Sequence, residues 1–214
     1  MIDNKEYEKE LYKKGVKYIA GVDEVGRGPL VGPVVTACVI LPPDFELDGL
    51  TDSKKLSLKK REKFFDIIMD KAISVGIGIK DNKVIDEVNI YQATKLAMYE
   101  AINNCKTKPE HVLIDAMKLE DLTMPSTSII KGDLKSISIS AASVIAKVTR
   151  DRMLEELHQL YPMYNFKKNA GYPTKEHVKA IEEHGIIPEH RKTFKPVSEN
   201  LTRMNALSSK DQAN

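Results

Sequence analysis

The chain has 214 residues, 42% of them hydrophobic, enough to bury a core near the upper limit of one domain. Its 33 Lys and Arg against 31 Asp and Glu leave a net charge of +2, which excludes a global basic field, so any nucleic-acid partner has to be met locally. The charged start MIDNKEYEKELYKK and a longest apolar run of only Val34 to Leu41 argue against a secretory signal and a membrane span. Two cysteines, Cys38 and Cys105, both inside apolar segments, read as buried thiols rather than a disulfide framework, which fits a reducing cytoplasm.

In chain order, residues 4–14 read as a short charged helix, and Tyr18 to Val25 and Val34 to Leu41 as strands separated by the loop GRGPLVGP. The long connection LPPDFELDGLTDSKKLS ends at Ser57, a candidate cap for a basic helix through Lys59 to Met69. Ala72 to Ile79 alternates as a strand, and Ile90 to Asn104 has helical spacing at Leu96, Met98 and Ile102. HVLIDA reads as a brief buried strand, Ser128 to Lys131 as another, and Gly132-Asp133 as a turn. From Ser136, the residues Ile137, Ala141, Val144, Ile145, Val148, Leu154 and Leu157 predict one long amphipathic helix ending near Tyr161-Pro162. Strands interleaved with helices predict an α/β domain with a mixed sheet. After Val197 the composition turns polar, so Ser198 to Asn214 is expected to be disordered or a loose helix.

The most distinctive stretch is GVDEVGRG, residues 21–28, where two adjacent carboxylates close an apolar strand just before two glycines. Asp23 and Glu24 are either strand-end charges that face water or pair with Arg27, or carboxylates waiting for a cation, since carboxylates at a buried edge cost energy unless something cationic meets them. A phosphate-binding P-loop fails on chemistry: Arg27 stands at the lysine position, Gly28 at the Mg-binding hydroxyl position, and the two acids would put negative charge inside a phosphate nest. The glycine spacing of a dinucleotide-binding fingerprint is also absent. Asp115 ends HVLID and Asp133 follows the Gly132 turn; each alone is an ordinary turn or cap residue. Together, carboxylates delivered from neighbouring strand ends would suit a hard divalent ion such as Mg²⁺ or Mn²⁺. Two such ions about 4 Å apart activate a water and stabilise the leaving oxygen in phosphodiester hydrolysis. One geometric obstacle stands: neighbouring strand residues point to opposite faces, so Asp23 and Glu24 share a site only if the chain bends at Val25-Gly26.

The ordered motifs GVDEVGRGPLVGPVV, DSKKLS, LIDA, KGD, SISAASVIAKVTRDR, NAGYPTKEH and PEHRKTF, over about residues 17 to 197, closely resemble bacterial ribonuclease HII. About sixteen residues precede the first strand, too few for the extra N-terminal domain of ribonuclease HIII, so the expectation is the HII type. The resemblance implies a ribonuclease H-like mixed sheet flanked by helices, in one catalytic domain over 1–197, with a small helical C-terminal region from about 160 and a polar tail at 198–214. It makes Asp23, Glu24, Asp115 and Asp133 the catalytic, metal-binding carboxylates, with Mn²⁺ or Mg²⁺ as cofactor. It implies that the backbone of Gly26, Arg27 and Gly28 meets the 2′-hydroxyl, the group that separates RNA from DNA, which suits glycine's tolerance of close approach. Tyr172 matches the tyrosine that stacks on the sugar after the ribonucleotide; read without the resemblance, it is more readily a capping aromatic before a helix beginning near Thr174. Lys54, in DSKKLS, is expected near the scissile strand.

The implied activity is an endonuclease that cuts the RNA of RNA/DNA hybrids and nicks 5′ of single ribonucleotides in duplex DNA, leaving 5′-phosphomonoesters, in ribonucleotide excision and primer removal. It would act as a cytoplasmic monomer with nucleic acid as partner and no membrane. Its rivals are a nuclease of the same superfamily with another substrate, and a silent hybrid-binding protein. Lys54, Lys55, Lys59, Lys60, Arg61 and Lys63 form a cationic stretch that either holds phosphates or is a solvated face. Lys167, Lys168, Lys175 and Lys179 form a second cationic zone around Tyr172. The long helix carries Ser140, Ser143, Lys147 and Arg150; hydroxyls in a helix interior more often pack or bond back to carbonyls, and the resemblance implies that this helix supports the site and touches phosphates. His177, His184 and His190 have no zinc-site spacing and are assigned no metal; His190 is expected to be structural.

Overall fold

The structure is a computed structural model and describes residues 4–211. Five strands, β1 (Ile19–Val25), β2 (Val34–Ile40), β3 (Ser74–Lys80), β4 (His111–Asp115) and β5 (Ser126–Ile129), form one sheet in the order β3-β2-β1-β4-β5. β3, β2 and β1 are antiparallel neighbours, whereas β1, β4 and β5 run parallel, so the sheet is mixed as expected. β2 is buried along its whole length, which is why VVTACVI reads as an unbroken apolar run rather than an alternation.

Helices cover both faces. The charged helix α1 (Glu6–Lys13) precedes β1, and α2 (Leu58–Lys71) starts at Ser57, whose hydroxyl accepts from the Lys60 amide. With α4 (Ile137–Leu160), α2 packs on the face presented by Val25, Val35, Ala37 and Val39. The opposite face, Ala20, Val22, Cys38 and Ile40, packs on α3 (Asn82–Asn104). The two cysteines meet here as free buried thiols, the Cys105 Sγ lying 3.6 Å from the Cys38 carbonyl. Both helices need glycine underneath. A Cβ on Gly21 would stand 2.0 Å from the Ser138 carbonyl carbon, and one on Gly78 would stand 1.9 Å from the Ala97 oxygen.

Three expectations need correction. α3 begins at Asn82, eight residues before the expected start. Asp81 caps the first segment, and Asn89 (φ 69°) breaks it and recaps a second by accepting from the Tyr91 and Gln92 amides, so periodicity exposes only the second piece. β5 lies two residues earlier than expected, because pairing with β4 sets Asp115 against Ile129 and leaves Ile130 exposed. α4 is not amphipathic throughout: Ile137 to Ala146 are all buried, since this half runs under the sheet and over the loop that leads into α4, and only the later half has a wet face. Of the two alternatives for the polar segment after Val197, the helical one holds: α7 (Val197–Asp211) is anchored by buried Val197 and half-buried Leu201, and residues 212–214 of the tail lie outside the described residues.

The C-terminal region adds α5 (Phe166–Asn169) and α6 (Lys175–His184), the latter capped by Thr174. With α7 they enclose a satellite core of Leu30, Val31, Leu154, Tyr164, Phe166 and Ile181, which joins the loop after β1 to the C-terminal helices. Among the described residues, no helix is long and apolar enough to cross a membrane.

Candidate active site

The parallel pairing of β1 with β4 sets Val22 beside Ile114, so Asp23 and Asp115 come next to each other at the carboxyl ends of adjacent strands. Asp133 lies in a short 3₁₀ turn, Gly132–Leu134, just beyond β5. The four carboxylates therefore collect at one sheet edge, where the ends of parallel strands habitually place ligands.

The obstacle posed by adjacent Asp23 and Glu24 persists in the structure. β1 stays paired through Val25 and turns only at Gly26, so the two side chains do leave opposite faces. Asp23 is buried on the α4 side with its Oδ1 accepting from the Glu24 amide at 2.8 Å, while Glu24 lies half-buried on the other side. Both nevertheless feel the Asp115 charge. Burial, then repulsion from Glu24 and Asp115, pushes the Asp23 carboxyl well above the usual range, against the Ser143 hydroxyl and the Glu24 amide. Burial raises Glu24 too, opposed by Arg27, whose Nη1 lies 3.5 Å from Oε1. Asp115 is raised by burial although its Oδ1 accepts from the Gly132 amide at 2.7 Å and Lys54 lies nearby. Asp133 is raised by burial and then by the charges of Asp115 and Asp52.

This donor set fits a hard divalent cation. It consists of carboxylate oxygens that repel one another, and the buried Glu24 Oε2 has no hydrogen-bond partner. The carboxylates share an edge without closing on a point: among the described residues, no three or more His, Cys, Asp or Glu side chains stand in a closed cation-binding arrangement.

Beside them is a cleft of about 420 Å³ lined by Glu24, Gly26, Arg27, Gly28, Lys54 and Tyr172, with Val25 and Ile90. All the nominated substrate-facing residues share this one cavity. Gly28 faces the half-exposed Tyr172 ring so closely that a Cβ there would lie 3.2 Å from Cε1. A larger hollow of about 690 Å³ beside α1 contains none of the four carboxylates, so charge rather than size picks out the site.

Several basic residues are already engaged within the protein, some buried and some on the surface. Arg61 turns inward, donating to the Ser53 and Leu56 carbonyls and pairing with Asp151. Arg150 is fully buried, which corrects the expectation that it touches phosphates, and Lys147 pairs with Asp151 at 2.6 Å. In the second cationic zone, Lys167, Lys168 and Lys179 pair with Glu155, Glu176 and Glu183. Sequence reasoning left Asp52 unassigned, although its charge acts on both Asp115 and Asp133 and its Oδ1 accepts from the Lys54 amide at 2.9 Å. It also left Arg191 without a role, because only the fold brings residue 191 against residue 26.

A mixed sheet of this strand order, flanked by helices and with acidic residues gathered at the ends of its parallel strands, is the architecture of the ribonuclease H-like class. The family model described as Ribonuclease HII matches residues 20–197. A ribonuclease HII of Bacillus cytotoxicus is 61% identical over 200 residues, covering 94% of this chain and 77% of the relative. The crystal structure of ribonuclease H2 from Pyrococcus horikoshii superposes with a TM-score of 0.76 at 27% identity, over 88% of this chain and 99% of that one. Bst ribonuclease HIII, solved with Mn²⁺, has the same fold at a TM-score of 0.63 and 18% identity, over 87% of this chain and 70% of that one. The chain belongs to the ribonuclease HII family. It is an endoribonuclease of RNA/DNA hybrids.

Proposed function

We propose that this enzyme hydrolyses the phosphodiester on the 5′ side of a ribonucleotide, either in a hybrid or embedded alone in duplex DNA, with Asp23, Glu24, Asp115 and Asp133 as the residues that hold Mg²⁺ or Mn²⁺. The observation that carries this reading is the shared cleft, in which Glu24 of the acidic edge, the Gly26-Arg27-Gly28 loop, Lys54 and the Tyr172 ring face one space. A bound pair of ions would supply an activated water and charge stabilisation at the leaving oxygen. The protein's own part is positioning: the loop backbone beside the 2′-hydroxyl, the Tyr172 ring against the following sugar, and the Lys54 ammonium towards the scissile strand. Residues 1–197 are read as one catalytic unit followed by the tail at 198–214, acting as a cytoplasmic monomer in ribonucleotide excision and primer removal.

The test is a pair of variants, Asp23→Asn and Asp115→Asn, shown to be folded by circular dichroism and assayed with Mg²⁺ and with Mn²⁺. Loss of cleavage in both, with the duplex still bound, is the expected result. Full metal-dependent cleavage by either would overturn the assignment of the carboxylates.

A further inference from the structure

Two arginines, Arg150 on α4 and Arg191 before α7, are fully buried side by side, and among the described residues neither guanidinium forms an ion pair with a carboxylate. Their acceptors are six backbone carbonyls. Arg191 donates from Nη2 to Gly26 at 2.6 Å, from Nη1 to Arg27 at 3.0 Å and from Nε to Gly32 at 3.0 Å. Arg150 donates from Nε to Pro33, from Nη2 to Val31 and from Nη1 to Ala170, each at 3.0 Å. Burying two neighbouring cations is costly even with these dipoles, the Phe194 ring 5.0 Å from the Arg191 guanidinium and the more distant charges of Asp86 and Asp151, and hydrophobic residues of the same volume would usually serve stability as well or better. Burial accordingly lowers both, Arg150 to about 10 and Arg191 to about 9, with Arg150 itself acting on Arg191.

The acceptors explain what this arrangement does. Gly26 and Arg27 belong to the loop that faces the cleft, and their carbonyls are drawn inward to Arg191, which fixes which peptide groups remain turned outward. Ala170 lies two residues before Tyr172, and Arg150 ties its carbonyl to the same frame that holds Val31 and Pro33. The Gly171 carbonyl, accepting from the Leu30 amide at 2.7 Å, closes the link. Gly26 is part of the fit: at φ +94° a Cβ would lie 2.3 Å from Arg150 Nε.

We infer that Arg191 and Arg150 are positioning residues for substrate choice, setting the register between the Gly26-Arg27-Gly28 loop and Tyr172 so that both meet one ribonucleotide and the sugar after it. The inference rests on the cleft being the ribonucleotide site. It assigns the arginines no contact with substrate. Positioning errors of about 1 Å cost on the order of 10²-fold in rate, so a small shift of this register has a large effect.

The test compares wild type and Arg191→Lys on a DNA duplex with one ribonucleotide and on a continuous RNA/DNA hybrid, in the same metal. Lysine keeps the charge and loses the three-way fork. The expected result is a fall of about 10²-fold in kcat/KM on the single-ribonucleotide duplex, with a much smaller fall on the hybrid. In a Tyr172→Ala background the same Arg191→Lys change should cost far less, because the register no longer has a ring to place. Equal losses on both substrates, or additive effects with Tyr172→Ala, would show a merely structural arginine. If Arg191→Lys does not fold, the wild-type protein decides: with chelator present, the Arg191 Nε–H resonance should shift on adding the single-ribonucleotide duplex and not the all-DNA duplex. No shift overturns the inference. A wild-type enzyme that ignores the ribonucleotide would instead overturn the reading on which it rests.

Discussion

His177 and His190 make a stability prediction that the structure quantifies. Both rings are fully buried with their Nε2 atoms 3.1 Å apart. The bonds at the far ends fix the tautomers: His190 Nδ1 accepts from the Ile187 amide, so its Nε2 carries the proton and donates to His177, whose Nδ1–H donates to the Tyr172 carbonyl. The neighbouring rings of Tyr164 and Phe166 offer no charge to balance an imidazolium. A further proton would set two N–H groups against each other. Burial, and then the neighbouring His177, lower His190 from 6.5 to about 3. The unfolded chain then binds a proton that the folded chain refuses, so this stability is present above pH 6.5 and is lost as the pH falls. Between pH 7 and pH 5, His190 alone accounts for a loss of about 2 kcal/mol. Buried acids such as Asp23 titrate with the opposite sign, so the quantity to measure is the difference between wild type and His190→Gln. Urea unfolding at both pH values should show wild type losing about 2 kcal/mol more than the variant on acidification. Parallel losses, or an NMR titration placing His190 near 6.5, would refute the reasoning.

Gly78→Ala should lower stability by about 3 kcal/mol or more in urea unfolding, because the added methyl meets the backbone of α3 rather than a movable side chain. Tyr172→Ala should leave the unfolding midpoint nearly unchanged, since the residue is 41% exposed. It should reduce cleavage at a single ribonucleotide by about 5- to 150-fold, the value of one stacking contact of about 1–3 kcal/mol. Asp23→Asn should raise the urea midpoint in chelator at pH 7 while abolishing cleavage, because it removes a buried charge held among like charges. An unchanged or lower midpoint would contradict that electrostatic account.

Much of the sheet was legible in the sequence because its strands announce themselves locally. VVTACVI is apolar throughout and HVLID ends on its acid, so β2 and β4 could be placed to within a residue or so. The start of α3 was not legible: Lys83, Asp86 and Glu87 dilute the apolar pattern, and Asp86 is instead spent on bonds to the Lys192 and Thr193 amides. The near-complete burial of Ile137 to Ala146 was equally hidden, since serines at 138, 140 and 143 interrupt the apolar pattern and the back-bonding expected of such hydroxyls does not by itself tell a buried face from a wet one. Ser140 bonds to the Asp133 and Ser136 carbonyls, and Ser143 to Ser53. The acidic edge was readable as strand-end carboxylates, although grouping Asp23 with Asp115 and Asp133 also drew on family resemblance. The supporting frame was not readable. Arg150 and Arg191 look like surface cations, and only the meeting of segments more than a hundred residues apart shows them to be interior donors.

The central claim is that one cleft joins an acidic, metal-holding edge to a loop and a ring that read a ribonucleotide. It is tested most directly by a labelled DNA duplex carrying one ribonucleotide, beside an all-DNA duplex, with Mg²⁺, Mn²⁺ or chelator. A single nick 5′ of the ribonucleotide, dependent on metal and absent from the all-DNA duplex, is the predicted result. Cleavage of both duplexes, or of neither by folded protein with metal present, would contradict it.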